Sequence, residues 1–235
     1  MLLTTRLYFT PIGKVKMSEA AVMPRGNAVP AEVSDMGRTD GRNRRAAATR
    51  RKIIEAAKAM IEETSEAPTV VGVAKRADVS VRSVFQHFGD VQSLFVTVVD
   101  SIGEDVQMSP PPTVDRPLEA RVEGLIQGLV ELFDKIVPLR VAAGQFAGHP
   151  ALLERGLALR QQLRDATFKA FEPEFAALTE QADREELADA IGAALSLDAW
   201  IVLRRRDGLS VERAAAIWRL TLTALLEHEL GKVAQ

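Results

Sequence analysis

Residues 77–90 read ADVSVRSVFQHFGD, and the fold turns on how these residues are taken. Ser80 is placed to N-cap a short helix through Phe88, because a serine hydroxyl there accepts a backbone N–H of the first turn. Gly89 ends that helix, and Asp90 caps a longer one running to about Gln107. Upstream, Thr69 is the expected N-cap of a short helix over VVGVAKRA, with a break at Asp78-Val79. A helix, a three-residue break and a second helix share one apolar set: Val70, Val73, Ala74, Val79, Val84 and Phe88. Ala74 is small and lets the two axes approach. Val81, Arg82, Ser83, Gln86 and His87 are left pointing outward, a face of donors suited to a groove. A plain pair of short core helices explains the same pattern.

The surrounding sequence is helical as well. AAATRRKIIEAAKAMIEET, from Ala46, sets Ile53, Ala57, Met60 and Ile61 on one face at 3.6-residue spacing. MSPPPTVDRP is a linker, since consecutive prolines forbid helix. Beyond it the pattern predicts helices over about 117–136, 138–147, 150–181 with Pro173 bending or splitting it, 184–206 and 210–231. No run alternates with period 2, so the fold class is all-α, with about nine helices in two domains. Residues 1–40, with Pro11, Pro24, Pro30 and no sustained apolar period, read as a disordered N-terminal arm or an over-extended start, Met17, Met23 and Met36 being possible initiators. The expected domains are 41–107 and 117–235.

Composition bounds the function. In 235 residues, 47% are hydrophobic, 26% are charged and the net charge is −2, the balance of a soluble globular protein. There is no cysteine, which removes disulfides, thiolate metal sites and thiol nucleophiles. The segment nets are +1 over 1–37, +3 over 38–100 and −6 over 101–235. The basic excess is concentrated in RTDGRNRRAAATRRK, so one half of the chain is suited to meet an anion. No apolar window reaches membrane-span length and no secretory signal is recognisable, so a cytoplasmic location is expected and no membrane partner.

TRRKIIEAAKAMI and TVVGVAKRADVSVRSVFQHFGDVQSLF resemble the DNA-binding domain of the TetR family (TetR/AcrR type) of one-component transcriptional regulators. The likeness covers about residues 45–100. It rests on Thr49, Arg50, Ile53, Ala56, Ala57, Thr69, Val70, Ala74, Ala77, Val79, Ser80, His87 and Phe88, with approximate matches at Ile54, Val73 and Phe85. It implies an N-terminal three-helix helix-turn-helix domain on a C-terminal ligand-binding and dimerisation domain. Carried over by position, Ser80 and Thr69 approach phosphates. Val81, Arg82 and Ser83 face bases, with Arg82 best able to hold a guanine. Phe85, Gln86 and His87 complete that helix, Gln86 and His87 lying nearer the backbone. Arg44, Arg45 and Arg50 open the first helix, where an arm reaches phosphates or the minor groove; a solvated tail is the plain alternative. Three departures stand out: Asp78 replaces a turn glycine, Phe85 replaces a frequent Tyr, and Val91 replaces a frequent Lys.

In the second half, Ala188, Gly192, Leu195 and Ala199 form one small-residue stripe, and Ala214, Ile217, Trp218, Thr221, Leu222 and Leu225 another. A two-fold four-helix interface is the economical explanation, and it resembles the family's dimerisation pair. The expected dimer residues are Leu187, Gly192, Leu195, Ala199, Ile217, Trp218, Leu222 and Leu225; intrachain core is the alternative. The resemblance also implies an effector pocket, for which Phe133, Phe146, His149, Arg160, Phe168 and Phe171 are the candidates. His87, His149 and His228 are far apart, and no phosphate loop or His-x-x-x-His pair occurs, so no catalytic site, metal or cofactor is expected. The expected function is a ligand-responsive repressor that binds a palindromic double-stranded DNA operator as a homodimer, with an unknown apolar or amphipathic effector. The competing reading is a helical protein-interaction or adaptor module with weak or no DNA binding.

Overall fold

Side-chain caps explain where the early helices begin. Thr69 Oγ1 accepts from Gly72 N–H at 3.1 Å, Ser80 Oγ from Ser83 N–H at 3.1 Å, and Asp90 Oδ1 from Ser93 N–H at 2.7 Å. They open α2 (Val70–Ala77), α3 (Val81–Phe88) and α4 (Val91–Asp105). The computed structural model describes residues 36–106 and 108–233, with side chains given from 41 to 231 except 107, and all regular structure among them is helical.

Helix α1 (Met36–Thr64) begins at Met36 rather than Ala46. The added stretch, 36–45, holds Gly37, Thr39, Asp40, Gly41 and Asn43, so intrinsic propensity does not account for it. Backbone oxygens of this stretch accept side chains, Arg45 Nε to Gly41 O at 3.2 Å and Thr49 Oγ1 to Arg45 O at 3.0 Å. Residues 36–40 therefore belong to a helix, and the rest of the expected disordered arm, 1–35, lies outside the described residues.

Helices α1 to α4 enclose one apolar cluster built on Ile53, Ala57, Ile61, Val73, Ala74, Val84, Phe88, Leu94, Phe95 and Val98. At Gly72 of α2 a Cβ would lie 2.7 Å from Met60 Cε of α1, the free end of a flexible side chain that would have to move aside. Lys58, buried on α1, holds Asp105 at the end of α4 at 2.6 Å.

A second cluster is formed by α5 (Leu118–Ala142), α6 (Pro150–Ala170), α7 (Glu172–Ala177), α8 (Gln181–Ala194), α9 (Leu197–Ile201) and α10 (Val211–Val233). Its boundaries differ from the sequence expectation at two places. Helix α5 runs through Pro138 instead of breaking before it, and a 3₁₀ turn, Ala143–Phe146, extends it. A mid-helix proline costs about 3 kcal/mol, and packing offsets this: Val137 and Ala142 are buried, and Leu139 packs on the first cluster. Helix α9 braces the same stretch, Trp200 Nε1 donating to Asp134 at 3.0 Å and Arg140 to Asp198 at 2.9 Å. The second difference is a break in 184–206, where Ser196 Oγ accepts from Ala199 N–H at 3.1 Å and restarts the chain as α9. A π turn over Val202–Arg206 and Gly208 at φ 66° then lead to Ser210, which caps α10.

Deep between α5 and α7 lies an ion pair. Arg121 donates to both oxygens of Glu174 at 2.6 Å and also to the carbonyls of Ala170 and Arg116, and the two side chains are only 6% and 10% exposed. Four of the five guanidinium N–H groups and both carboxylate oxygens have partners, which is what makes a buried pair tolerable.

The stripes expected to face a partner divide. Leu187 at 3%, Leu195 at 4%, Trp218 at 1% and Leu222 at 0% exposure are packed into the chain's own second cluster and present no surface to a partner. Trp200 is the physical reason: α9 tucks it against Trp218 at 4.6 Å between ring centroids, and Phe133 of α5 meets Trp218 edge-on at 5.7 Å. Large aromatic rings close the space that small stripes seemed to leave open.

Candidate nucleic-acid interface

The chain between α2 and α3 is held by backbone geometry. Asp78 sits at φ 55°, ψ 51°, the left-handed region, and its N–H reaches Lys75 O at 3.4 Å. Asp tolerates that region better than most side chains. Val79 N–H then bonds Ala74 O at 3.0 Å, so the turn is short and fixed. Gly89, at φ 78°, ends α3 where a side chain would be strained. Asp78→Ala should lower the unfolding free energy by about 1 kcal/mol, while Asp78→Gly should not; thermal melts of both variants check this.

Helix α3 has a clear inside and outside. Val84 and Phe88 are buried; Val81, Arg82, Phe85 and Gln86 are exposed, and Ser83 and His87 are half-buried. Arg82 and Gln86 have no hydrogen-bond or ion-pair partner among the described residues. Thr69 and Ser80 are exposed residues whose hydroxyls already serve as caps. His87 leans on Phe88, with centroids 6.3 Å apart.

The arginines expected beside this face have different tasks. Arg44 and Arg45 are exposed on the α1 extension, Arg45 bonding within its own helix. Arg50 instead lies over the Phe88 ring at 4.4 Å and donates to His87 O at 3.4 Å. It fastens α1 to the end of α3, and the cation–π contact is worth about 1 kcal/mol.

Sequence reasoning passed over other charges here. Arg51 and Lys52, within the counted basic run, line an open hollow of 540 Å³ with Glu55, Ala56, Arg76 and Ala77. Arg76 is held bidentately by Glu63 at 2.5 and 2.6 Å, and its hydrogen bonds hold the Glu63 carboxyl below the ordinary value. That pairing takes Arg76 out of the set of open cations; Arg51, Lys52 and Lys75 are exposed.

The candidate effector residues do not share a cavity. Phe133 and Phe171 are fully buried in the second cluster, Phe171 beneath Arg121 at 5.7 Å. Phe168 stacks on Phe175 at 4.3 Å and Arg160 is exposed. Phe146 belongs to the other cluster, against Phe95 of α4 at 4.8 Å between centroids. His149, half-buried, starts α6 without a side-chain cap bond, and its Nδ1 is buried without a partner. These last two mark the joint between the clusters, which Arg155 closes by gripping both oxygens of Asp100 at 2.5 and 2.8 Å. Arg205 adds a bond to Ser65 Oγ at 3.0 Å. Beside the linker, a slot of 10 Å³ between Pro112, Gly124 and Gly128 has room for about one water.

Set against family models, curated proteins and solved structures, the chain matches none of them. Among the described residues no helix is long and apolar enough to cross a membrane, and no group of three potential metal ligands occurs.

Proposed function

We propose that this chain is a helix-turn-helix transcriptional repressor that binds a palindromic DNA operator as a homodimer and responds to a small apolar or amphipathic effector. The observation that carries the reading is α3: it is capped at its start and stopped by Gly89, buried on Val84 and Phe88, and it presents Arg82 and Gln86 outward without partners among the described residues. Such a helix fits a major groove, where Arg reads guanine; Gln86, expected nearer the backbone from sequence, is exposed one turn on from Arg82 and is proposed here to read adenine. The exposed Arg44, Arg45, Arg51, Lys52 and Lys75 supply the phosphate attraction that non-specific affinity needs.

The homodimer in this proposal uses what the intrachain core leaves free. Gly192 has open space beside it, Ala199, Ile217 and Leu225 are half-buried, and Leu220 of α10 is 72% exposed. Two-fold symmetry then calls for half-sites about one helical turn apart. The proposed setting is cytoplasmic.

Footprinting on the DNA around its own gene, with binding measured across a salt series, tests the reading. Arg82→Ala and Gln86→Ala should each weaken operator binding about tenfold to hundredfold with the salt dependence kept. Arg44→Ala and Arg45→Ala should weaken all duplexes alike and lower the salt slope by about 1 each. A protein that ignores every duplex at low salt is not this regulator.

A further inference from the structure

Helix α3 presents two kinds of side chain in two parallel rows. Arg82 and Gln86, four residues apart, form a polar row. Val81 and Phe85, also four apart, form an apolar row alongside it, and both are exposed, Val81 at 38% and Phe85 at 47%. Nothing in the fold explains the second row. Val84 and Phe88 already seal α3 onto the first cluster, and Val81 and Phe85 belong to neither that cluster nor its partly buried fringe. A large aromatic side chain held in water beside an unpaired arginine is suited to a surface that is apolar in spots and anionic around them.

We infer that Val81 and Phe85 read thymine 5-methyl groups in the operator half-site, next to the base pairs held by Arg82 and Gln86. The inference rests on the DNA-binding reading above and specifies the sequence it recognises. The major groove exposes one apolar group on the four unmodified bases, the thymine methyl. Along the helix, four residues span about 6 Å, close to two base steps of about 3.4 Å each. The two methyls therefore fall within about two base pairs of one another, beside a guanine for Arg82 and an adenine for Gln86. Neither apolar side chain has a hydroxyl or amine, so neither holds a phosphate by hydrogen bonding. Arg82, one residue from Val81 and unpaired among the described residues, and the exposed Arg51 and Lys52 on α1, which packs on the end of α3 through Arg50, match a polyanion rather than an apolar protein partner.

The test begins with selection of duplexes from a random-sequence library by the full chain. Enriched half-sites should contain paired thymines beside guanine and adenine. In the selected duplex, each thymine is then replaced by deoxyuridine, which removes the methyl and leaves base pairing intact. Two such positions should each lose about fourfold in affinity, the worth of one buried methyl-sized group. Phe85→Ala should bind the thymine duplex more weakly and lose its sensitivity to deoxyuridine at one position, and Val81→Ala at the other. Both side chains are surface residues, so both variants keep the fold. Enrichment of a duplex whose affinity is indifferent to deoxyuridine, or equal sensitivity in the variants, overturns the inference while leaving the regulator intact. If no duplex is enriched, the regulator reading falls and the inference falls with it.

Discussion

Glu174→Ala is expected to lower the thermal midpoint by roughly 10 °C, the largest effect of any single charged substitution in this chain. The change strands Arg121, 5% exposed, with three of its nitrogens facing protein and no counter-charge. Breaking one side of a buried pair costs about 3–5 kcal/mol, and each kcal/mol is worth about 2–4 °C in a chain of this size. The joint substitution Arg121→Met with Glu174→Leu should cost less than Glu174→Ala alone, because it leaves no unpaired charge. The pair also sets an acid limit. Hydrogen bonds from Arg121 hold the Glu174 carboxyl below its ordinary value. Its contribution is fully present above the unfolded carboxylate range and is lost as pH falls through the depressed folded value. Stability should rise with pH through the acid region and then level, and Glu174→Gln should flatten that rise. Thermal melts between pH 3 and 7, in steps of about one unit, would show either behaviour.

Trp218→Ala is the second large effect, about 3–5 kcal/mol, and its form decides between core and interface. Trp218 is 1% exposed and packs on Trp200 and Phe133 within a single chain. The loss should therefore be the same at every protein concentration. A residue buried by dimerisation would instead give a midpoint that shifts with dilution. Trp218→Phe should cost far less than Trp218→Ala, since it keeps most of the ring and removes an indole N–H that has no acceptor. Leu220→Asp, on exposed surface, should leave the monomer fold intact and raise the dissociation constant of the proposed dimer, which analytical ultracentrifugation reads directly.

Short-range chemistry made much of this protein legible before its fold was known. Thr69, Ser80, Asp90 and Ser210 are caps in the structure because capping needs only a side chain and a backbone N–H two or three residues away. The break at Asp78 and the stop at Gly89 are equally local. Ser196 carries the same signal inside a long helical pattern that masks it. The start of α1 at Met36 was not legible, because residues 36–45 carry no apolar period and include two glycines.

The candidate site divides along the same line. Of the outward set expected from a period of 3.6, Val81, Arg82 and Gln86 are exposed, whereas Ser83 and His87 are half-buried and Phe85, left out of that set, is exposed. What Arg50 does was beyond the sequence, since the Phe88 ring and the His87 carbonyl come to Arg50 through the packing of α1 on α3. Likewise, an apolar stripe states that a face is buried and leaves its partner open. Tertiary structure assigned Leu187, Leu195, Trp218 and Leu222 to the chain's own core, and Phe146 to the joint with α4. It also continued α5 through Pro138 against local preference. The physical reason is common to all of these: caps and turns are decided within a few residues of chain, whereas burial is decided by whichever distant surface fits best.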